Sequence, residues 1–95
     1  MTQYTIEDAT IDSALIQKML KDLKERPDLT KFTLENNTIK DVDGMCQVFA
    51  LLKNYDKLEA INFRLNNFNE RIIEALAEGI KMKKELRVFQ SVFNP

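Results

Sequence analysis

Histidine is absent from the 95 residues of this chain, and only two glycines occur. The chain therefore lacks the commonest general base and zinc ligand at neutral pH. It also has no glycine-rich loop that could cradle a phosphate group. These two absences argue against an enzyme and against a bound cofactor or metal ion.

Cysteine and long apolar runs are scarce as well. The single cysteine, Cys46, has no partner for an internal disulfide, and no stretch is apolar enough for a signal peptide or a membrane span. A reducing, cytoplasmic setting is the expectation. Without a histidine beside it, Cys46 is predicted to be a core or half-buried thiol rather than a nucleophile.

Charge of one sign is also lacking, because 14 basic and 15 acidic residues leave a net charge of -1. Neither nucleic acid nor a membrane surface is therefore predicted as a partner. The densest basic cluster comprises Lys81, Lys83, Lys84 and Arg87. It is typical of a last helical turn, where cations balance the helix dipole.

What the chain does contain is one apolar pattern that returns at a nearly constant interval, within a composition that is 44% hydrophobic. The phrase in residues 29–39 reappears 29 residues later in 58–68, and it begins again at Leu86 after 28 more. Met1 opens a weaker copy. Such a period is typical of stacked repeats. We predict one domain over 1–95, with repeats of about 1–28, 29–57 and 58–85 and a terminal strand over 86–95.

Each repeat joins a strand-like stretch to a helical one. Helices are predicted over about 13–26 behind Asp12, 44–53 behind Asp41 and Asp43, and 70–84 behind Asn69, because these side chains cap helix starts. Apolar residues three and four apart should face inward. The inward columns are Ile16, Met45 and Ile73; Met19, Val48 and Leu76; Leu23, Leu52 and Ile80; and, in a second tier, Leu20, Phe49 and Ala77.

Two asparagines, Asn37 and Asn66, follow the strand-like stretches at the point where the chain must turn towards a helix. A buried amide satisfies both donors and acceptors of a turning backbone. We therefore predict that Asn37 and Asn66 form a short buried ladder, with Asn94 in register as the next rung.

Residues 29–39 and 58–68 resemble the leucine-rich repeat phrase, and 74–81 is similar to the helix of its ribonuclease-inhibitor-like subfamily, which includes Ran GTPase-activating protein and the C-terminal domain of tropomodulins. The resemblance implies a short right-handed α/β solenoid, with parallel strands on the concave face and helices on the convex face. It implies a protein-binding module, and it makes a cytoskeletal, actin-associated adaptor or a GTPase-regulating role conceivable.

The strand side chains between the buried anchors should line that concave face in columns. The columns are Gln3, Lys31, Ala60 and Val88; Thr5, Thr33, Asn62 and Gln90; and Glu7, Glu35, Arg64 and Val92. Glu7 and Glu35 lie on adjacent strands, where two solvated carboxylates are a poor metal site. The predicted partner-binding residues are Lys31, Glu35, Asn62, Arg64, Leu65, Val88, Gln90, Val92 and Phe93.

The C-terminal strand leaves three alternatives open. Its apolar side chains and unpaired edge suit a partner strand or an apolar anchor from another protein. The same edge suits self-association into a homodimer. Phe93 alternatively folds back as a cap over the last core layer.

Overall fold

The structure is a computed structural model that describes residues 2–64, 66–83 and 86–90, with 88–90 described by their backbone alone. Strands and helices alternate along the chain, as the repeats predict. The strands are β1 (Thr2–Glu7), β2 (Thr10–Ile11), β3 (Leu29–Glu35), β4 (Thr38–Ile39), β5 (Ala60–Arg64) and β6 (Arg87–Gln90). The helices are α1 (Ser13–Lys24), α2 (Val42–Leu51) and α3 (Glu70–Ile80), and a short 3₁₀ helix follows α2 over Leu52–Asn54.

Four of the strands form one parallel sheet in the order β1-β3-β5-β6. Lys31 pairs with Gln3 on one side and with Ala60 on the other, and Thr33 lies in the same way between Thr5 and Asn62. The predicted columns are therefore confirmed across the first three of these strands. The two short strands β2 and β4 pair separately, also in parallel.

Each helix begins where a polar side chain accepts a hydrogen bond from the first turn. Asp12, Asp41 and Asn69 accept from the backbone N–H three residues on, each at 2.9 Å. The predicted starts of α1 and α3 are confirmed. Asp41 caps α2 as predicted, but α2 begins at Val42, two residues before the predicted start, so Asp43 lies in its first turn. The helices end earlier than predicted; α1 stops at Lys24, before Pro27, because a proline disfavours helical geometry in the residue that precedes it.

The core lies between the sheet and the helices. Phe49 of α2 is fully buried, and its ring packs edge-on against Phe32, Phe63 and Phe68 at centroid distances of 6.4, 6.0 and 5.7 Å. Such edge-to-face contacts add to the burial of each ring. One aromatic cluster therefore ties α2 to strands β3 and β5 and to the turn before α3.

The predicted asparagine ladder is confirmed for its two described rungs. Asn37 is 4% exposed and Asn66 is 2% exposed, and Asn37 Nδ2 donates to Asn66 Oδ1 at 3.0 Å. Asn37 also donates to the carbonyl of Ile6 and accepts from the N–H of Ala9. Asn66 donates to the carbonyl of Leu34 at 2.9 Å. The amides thus satisfy the backbone where each strand ends. Asn94 lies outside the described residues.

The inward columns are correct for α1 and α2 but not for all of α3. Ile73 is 48% exposed and Ala77 is exposed, so the prediction that they face the core is wrong. Ile72 is fully buried instead. The corresponding residue of α2 is Met45, which is fully buried, and α3 packs beside α2. Among the described residues, no further helix packs beside α3 in the same way.

The register of β6 also differs from the prediction. Val88 pairs with Ile61 rather than with Ala60, and Gln90 pairs with Phe63 rather than with Asn62. The last interval is therefore 27 residues, from Ala60 to its neighbour Arg87. Residues 86–93 are apolar at both odd and even positions, so an alternating pattern does not select one register over the next.

Candidate protein-binding face of the sheet

One face of the parallel sheet carries no helix, and we call it the open face. Side chains alternate along a strand, so the residues between the buried anchors point away from the helices. By register, the described residues of the open face are Gln3, Thr5, Glu7, Lys31, Thr33, Glu35, Ala60, Asn62, Arg64 and Arg87. Ala60 is 7% exposed, and the others are exposed or half-buried. Apart from Ala60, the described part of the face is polar, and it presents both charges.

A shallow polar hollow of about 240 Å³ lies in the middle of the open face, between β3 and β5. Its polar lining consists of Thr33, Glu35, Asn62 and Arg64. The Thr33 hydroxyl and the Asn62 amide each offer a donor and an acceptor. The hollow is therefore suited to hydrogen bonding with a peptide or a protein loop.

The only ion pair on the described part of the open face joins Arg64 Nη1 to Glu35 Oε1 at 3.4 Å. The two side chains remain 55% and 39% exposed. Ion pairs as exposed as this contribute about 0–1 kcal/mol, because water screens them. Both groups can therefore exchange this contact for one with a partner at little cost.

Four of the predicted partner-binding residues are brought together here. Glu35, Asn62 and Arg64 line the hollow, and Lys31 lies on the same face, two residues from Thr33 along β3. Val88 and Gln90 lie in β6 in the shifted register described above, and their side chains are outside the described set. Leu65, Val92 and Phe93 lie outside the described residues.

Chemically reactive groups are not gathered on this face. Over residues 2–64, 66–83 and 86–90, no group of three or more histidine, cysteine, aspartate or glutamate side chains is placed to hold a metal ion. Cys46 is half-buried, as predicted, and its Sγ lies 3.7 Å from the carbonyl oxygen of Arg71 on α3.

Tyr4 of β1 packs against a polar cluster formed by α1 and by Arg26, which follows it. The Tyr4 hydroxyl donates to Asp22 at 2.8 Å, and the Arg26 guanidinium lies 5.1 Å above the Tyr4 ring. Burial, together with the bond to Asp22, raises the pKa of Tyr4 well above its usual range. Hydrogen bonds from Lys18 and from Tyr4 lower the pKa of Asp22. These contacts therefore join β1 to α1 and to the segment that follows α1.

A second concavity, which sequence reasoning missed, lies where the chain enters β5 and β6. It has a volume of about 1210 Å³, and residues of 53–59, 78–83 and 86–87 line it. The sequence showed the basic cluster at Lys81, Lys83 and Arg87, and the fold adds Lys53 and Lys57 to it. The interval of 28 residues between Lys53 and Lys81 is the signal that could have found this proximity.

Among the described residues, no helix has both the length and the apolar character that crossing a membrane requires. Comparison of the chain with models of protein families, with curated proteins and with solved structures finds no match.

Proposed function

We propose that the chain is a short right-handed leucine-rich-repeat-like solenoid that binds another protein through the open face, without enzymatic activity. The observation that supports this most strongly is the open face itself, where three predicted contact residues line a polar hollow and a fourth, Lys31, lies on the same face. The open face would be the concave face of the solenoid. The C-terminal edge strand would extend the binding surface.

The solenoid part of the proposal is supported by two features. The sheet strands lie side by side in chain order and all run in parallel, as stacked repeats require. The buried amide ladder of Asn37 and Asn66 satisfies the backbone at equivalent points of successive repeats. A cytoplasmic setting belongs to the same proposal and is supported by the free thiol of Cys46.

The test uses an open-face double variant, Thr33→Arg with Asn62→Arg, which places two long cations in the hollow. The matched control is Gln17→Arg with Gln47→Arg, which makes the same charge change at exposed positions of α1 and α2. Immobilised wild-type protein captures a partner from the source cells. The partner is then purified, and its affinity for all three proteins is measured.

We expect the open-face variant to bind roughly tenfold more weakly or worse, as at the centre of an interface, and the control to bind like the wild type. Circular dichroism must show that both variants are folded. Equal affinity of the open-face variant, or an equal loss in the control, would overturn the proposal.

Self-association is a second candidate, and the exposed apolar side chains of the last repeat favour it. Ile73 and Met82, on and after α3, are 48% and 80% exposed. Exposed apolar side chains are typical of an interface. Light scattering over a concentration series tests it. A dimer that Ile73→Glu converts to a monomer supports self-association, and a monomer at every concentration refutes it.

The cytoskeletal and GTPase-regulating roles depend on the resemblance alone and stay predictions.

A further inference from the structure

The second concavity, which we call the base groove, is floored by small or aliphatic residues. Ala50, Ala75 and Gly79 lie along the contact between α2 and α3, and Leu58 and Leu86 precede β5 and β6. At Gly79 the two helices approach so closely that a Cβ atom would meet the backbone of Phe49. Because the side chains at this crossing are small, the base groove stays open, and its floor is apolar.

The rim of the base groove is cationic although the whole chain is not. Among the described lining residues, five basic side chains and three carboxylates give an excess of two positive charges, in a chain of net charge -1. Lys81 pairs with Glu78 at 2.9 Å, and Lys83 Nζ donates to the carbonyl of Tyr55 at 2.6 Å. Lys57 and Arg87 form no ion pair with any described residue.

Stabilisation of the helix ends does not account for these two cations. Lysines in the last helical turns, such as Lys53, balance the partial negative charge of the helix carbonyls. Lys57 lies in the loop before β5, and Arg87 is the first residue of β6. Both are exposed, so their charges are available to a ligand.

The rim also carries an apolar contact, because Met82 is 80% exposed. From the aliphatic floor, the exposed methionine and the excess of cations, we propose that the base groove binds an acidic peptide segment that carries aliphatic side chains. A peptide fits this lining better than a nucleic acid does. Nucleic-acid sites use exposed aromatic rings on which bases stack, and no aromatic side chain is among the described lining residues.

Fluorescence anisotropy with a fluorescein-labelled peptide of alternating glutamate and leucine tests the proposal. The groove variant is Lys57→Glu with Arg87→Glu, and the control is Lys21→Glu with Lys24→Glu, which changes the net charge equally at exposed positions of α1. We expect the groove variant to bind roughly tenfold more weakly, since it reverses two charges at the site, and the control to bind like the wild type. Met82→Ser should weaken binding further when it is added.

Three results would overturn the proposal. An equal loss of affinity in the control and in the groove variant would show attraction by bulk charge. Equal binding of the mixed peptide and of a glutamate peptide without leucine would show a plain anion site. A single-stranded oligonucleotide that binds more tightly than the mixed peptide would show a nucleic-acid surface. Circular dichroism of each variant establishes that it is folded. Arg87 pairs with Ala60 in the row that also holds Lys31 of the open face, so Lys57→Glu is also measured alone. Lys57 lies in the loop before β5, so a loss of affinity in that single variant is independent of the proposed function.

Discussion

The buried amide of Asn66 offers the sharpest test of how the repeats are held together. Asn66 is 2% exposed; it accepts from Asn37 at 3.0 Å and donates to the carbonyl of Leu34 at 2.9 Å. Asn66→Ala deletes these two bonds and a third, to the carbonyl of Arg64 at 3.3 Å, and leaves a buried donor and a buried acceptor without these partners. Each such group costs about 1–3 kcal/mol. We therefore expect a loss of about 3 kcal/mol in the free energy of unfolding.

That loss is large for a small domain, whose total stability is typically about 5–15 kcal/mol. It corresponds to a fall in melting temperature of roughly 12–24 °C, at about 4–8 °C per kcal/mol for a domain of this size. Urea unfolding followed by circular dichroism measures it. The control is Asn54→Ala at an exposed position, which should stay within about 0.5 kcal/mol of the wild type.

A second variant, Asn66→Asp, separates the loss of a donor from the loss of the whole side chain. The aspartate keeps the acceptor for Asn37 but faces the carbonyls of Leu34 and Arg64, to which Asn66 donates at 2.9 and 3.3 Å. Burial and these oxygens must raise the pKa of the new carboxyl above its unfolded value of about 3.9. Its deficit relative to the wild type is then largest at neutral pH, and it shrinks as the pH falls through the folded pKa. The reasoning is refuted if Asn66→Ala unfolds like the wild type or if the Asp deficit does not change with pH.

Three further predictions test the packing. Ile72→Ala should cost about 2–5 kcal/mol because its side chain is fully buried, whereas Ile73→Ala should cost well under half as much; equal costs in urea unfolding would contradict the assigned face of α3. Gly79→Ala should destabilise the protein by about 1–3 kcal/mol, since the gain of about 1 kcal/mol in helix propensity is outweighed by the contact with the α2 backbone; a higher melting temperature would refute this. Burial raises the pKa of both Tyr4 and Tyr55, so phenolate absorbance in the native protein should be low at pH about 10, where a urea-unfolded chain is half ionised. Because the folded pKa values are raised, the two tyrosines stabilise the fold fully below pH about 10, and this stability is lost as the pH rises further. Half-titration of the native protein at that pH would contradict the burial.

Periodicity in the sequence was sufficient to predict the sheet over its first three strands. The anchors Phe32 and Leu34 repeat as Ile61 and Phe63, and each set has polar residues between its members, so only one register buries the apolar face. The caps Asp12 and Asn69 were predicted because their role depends on local geometry. The open face followed from the same alternation.

Features that depend on neighbours across the fold were not predictable in this way. Ile72 and Ile73 are both apolar, and only the position of α2 decides which of them is buried. The side chain of Asn67 accepts from the N–H of Ile39 at 2.6 Å, and so it takes the place of a paired strand beside β4. The base groove joins Lys57 to Arg87, which are 30 residues apart, and the repeat intervals of 28 and 29 residues do not place these two in one row.

The most direct test of the whole account is a set of backbone nuclear Overhauser effects on isotope-labelled protein. Both the open face and the base groove require β3 and β5 to be parallel neighbours. The account predicts cross-strand contacts that connect Lys31 with Ala60 and Glu35 with Arg64. Contacts in the reverse order, with Lys31 close to Arg64 and Glu35 close to Ala60, would show an antiparallel pair and contradict it.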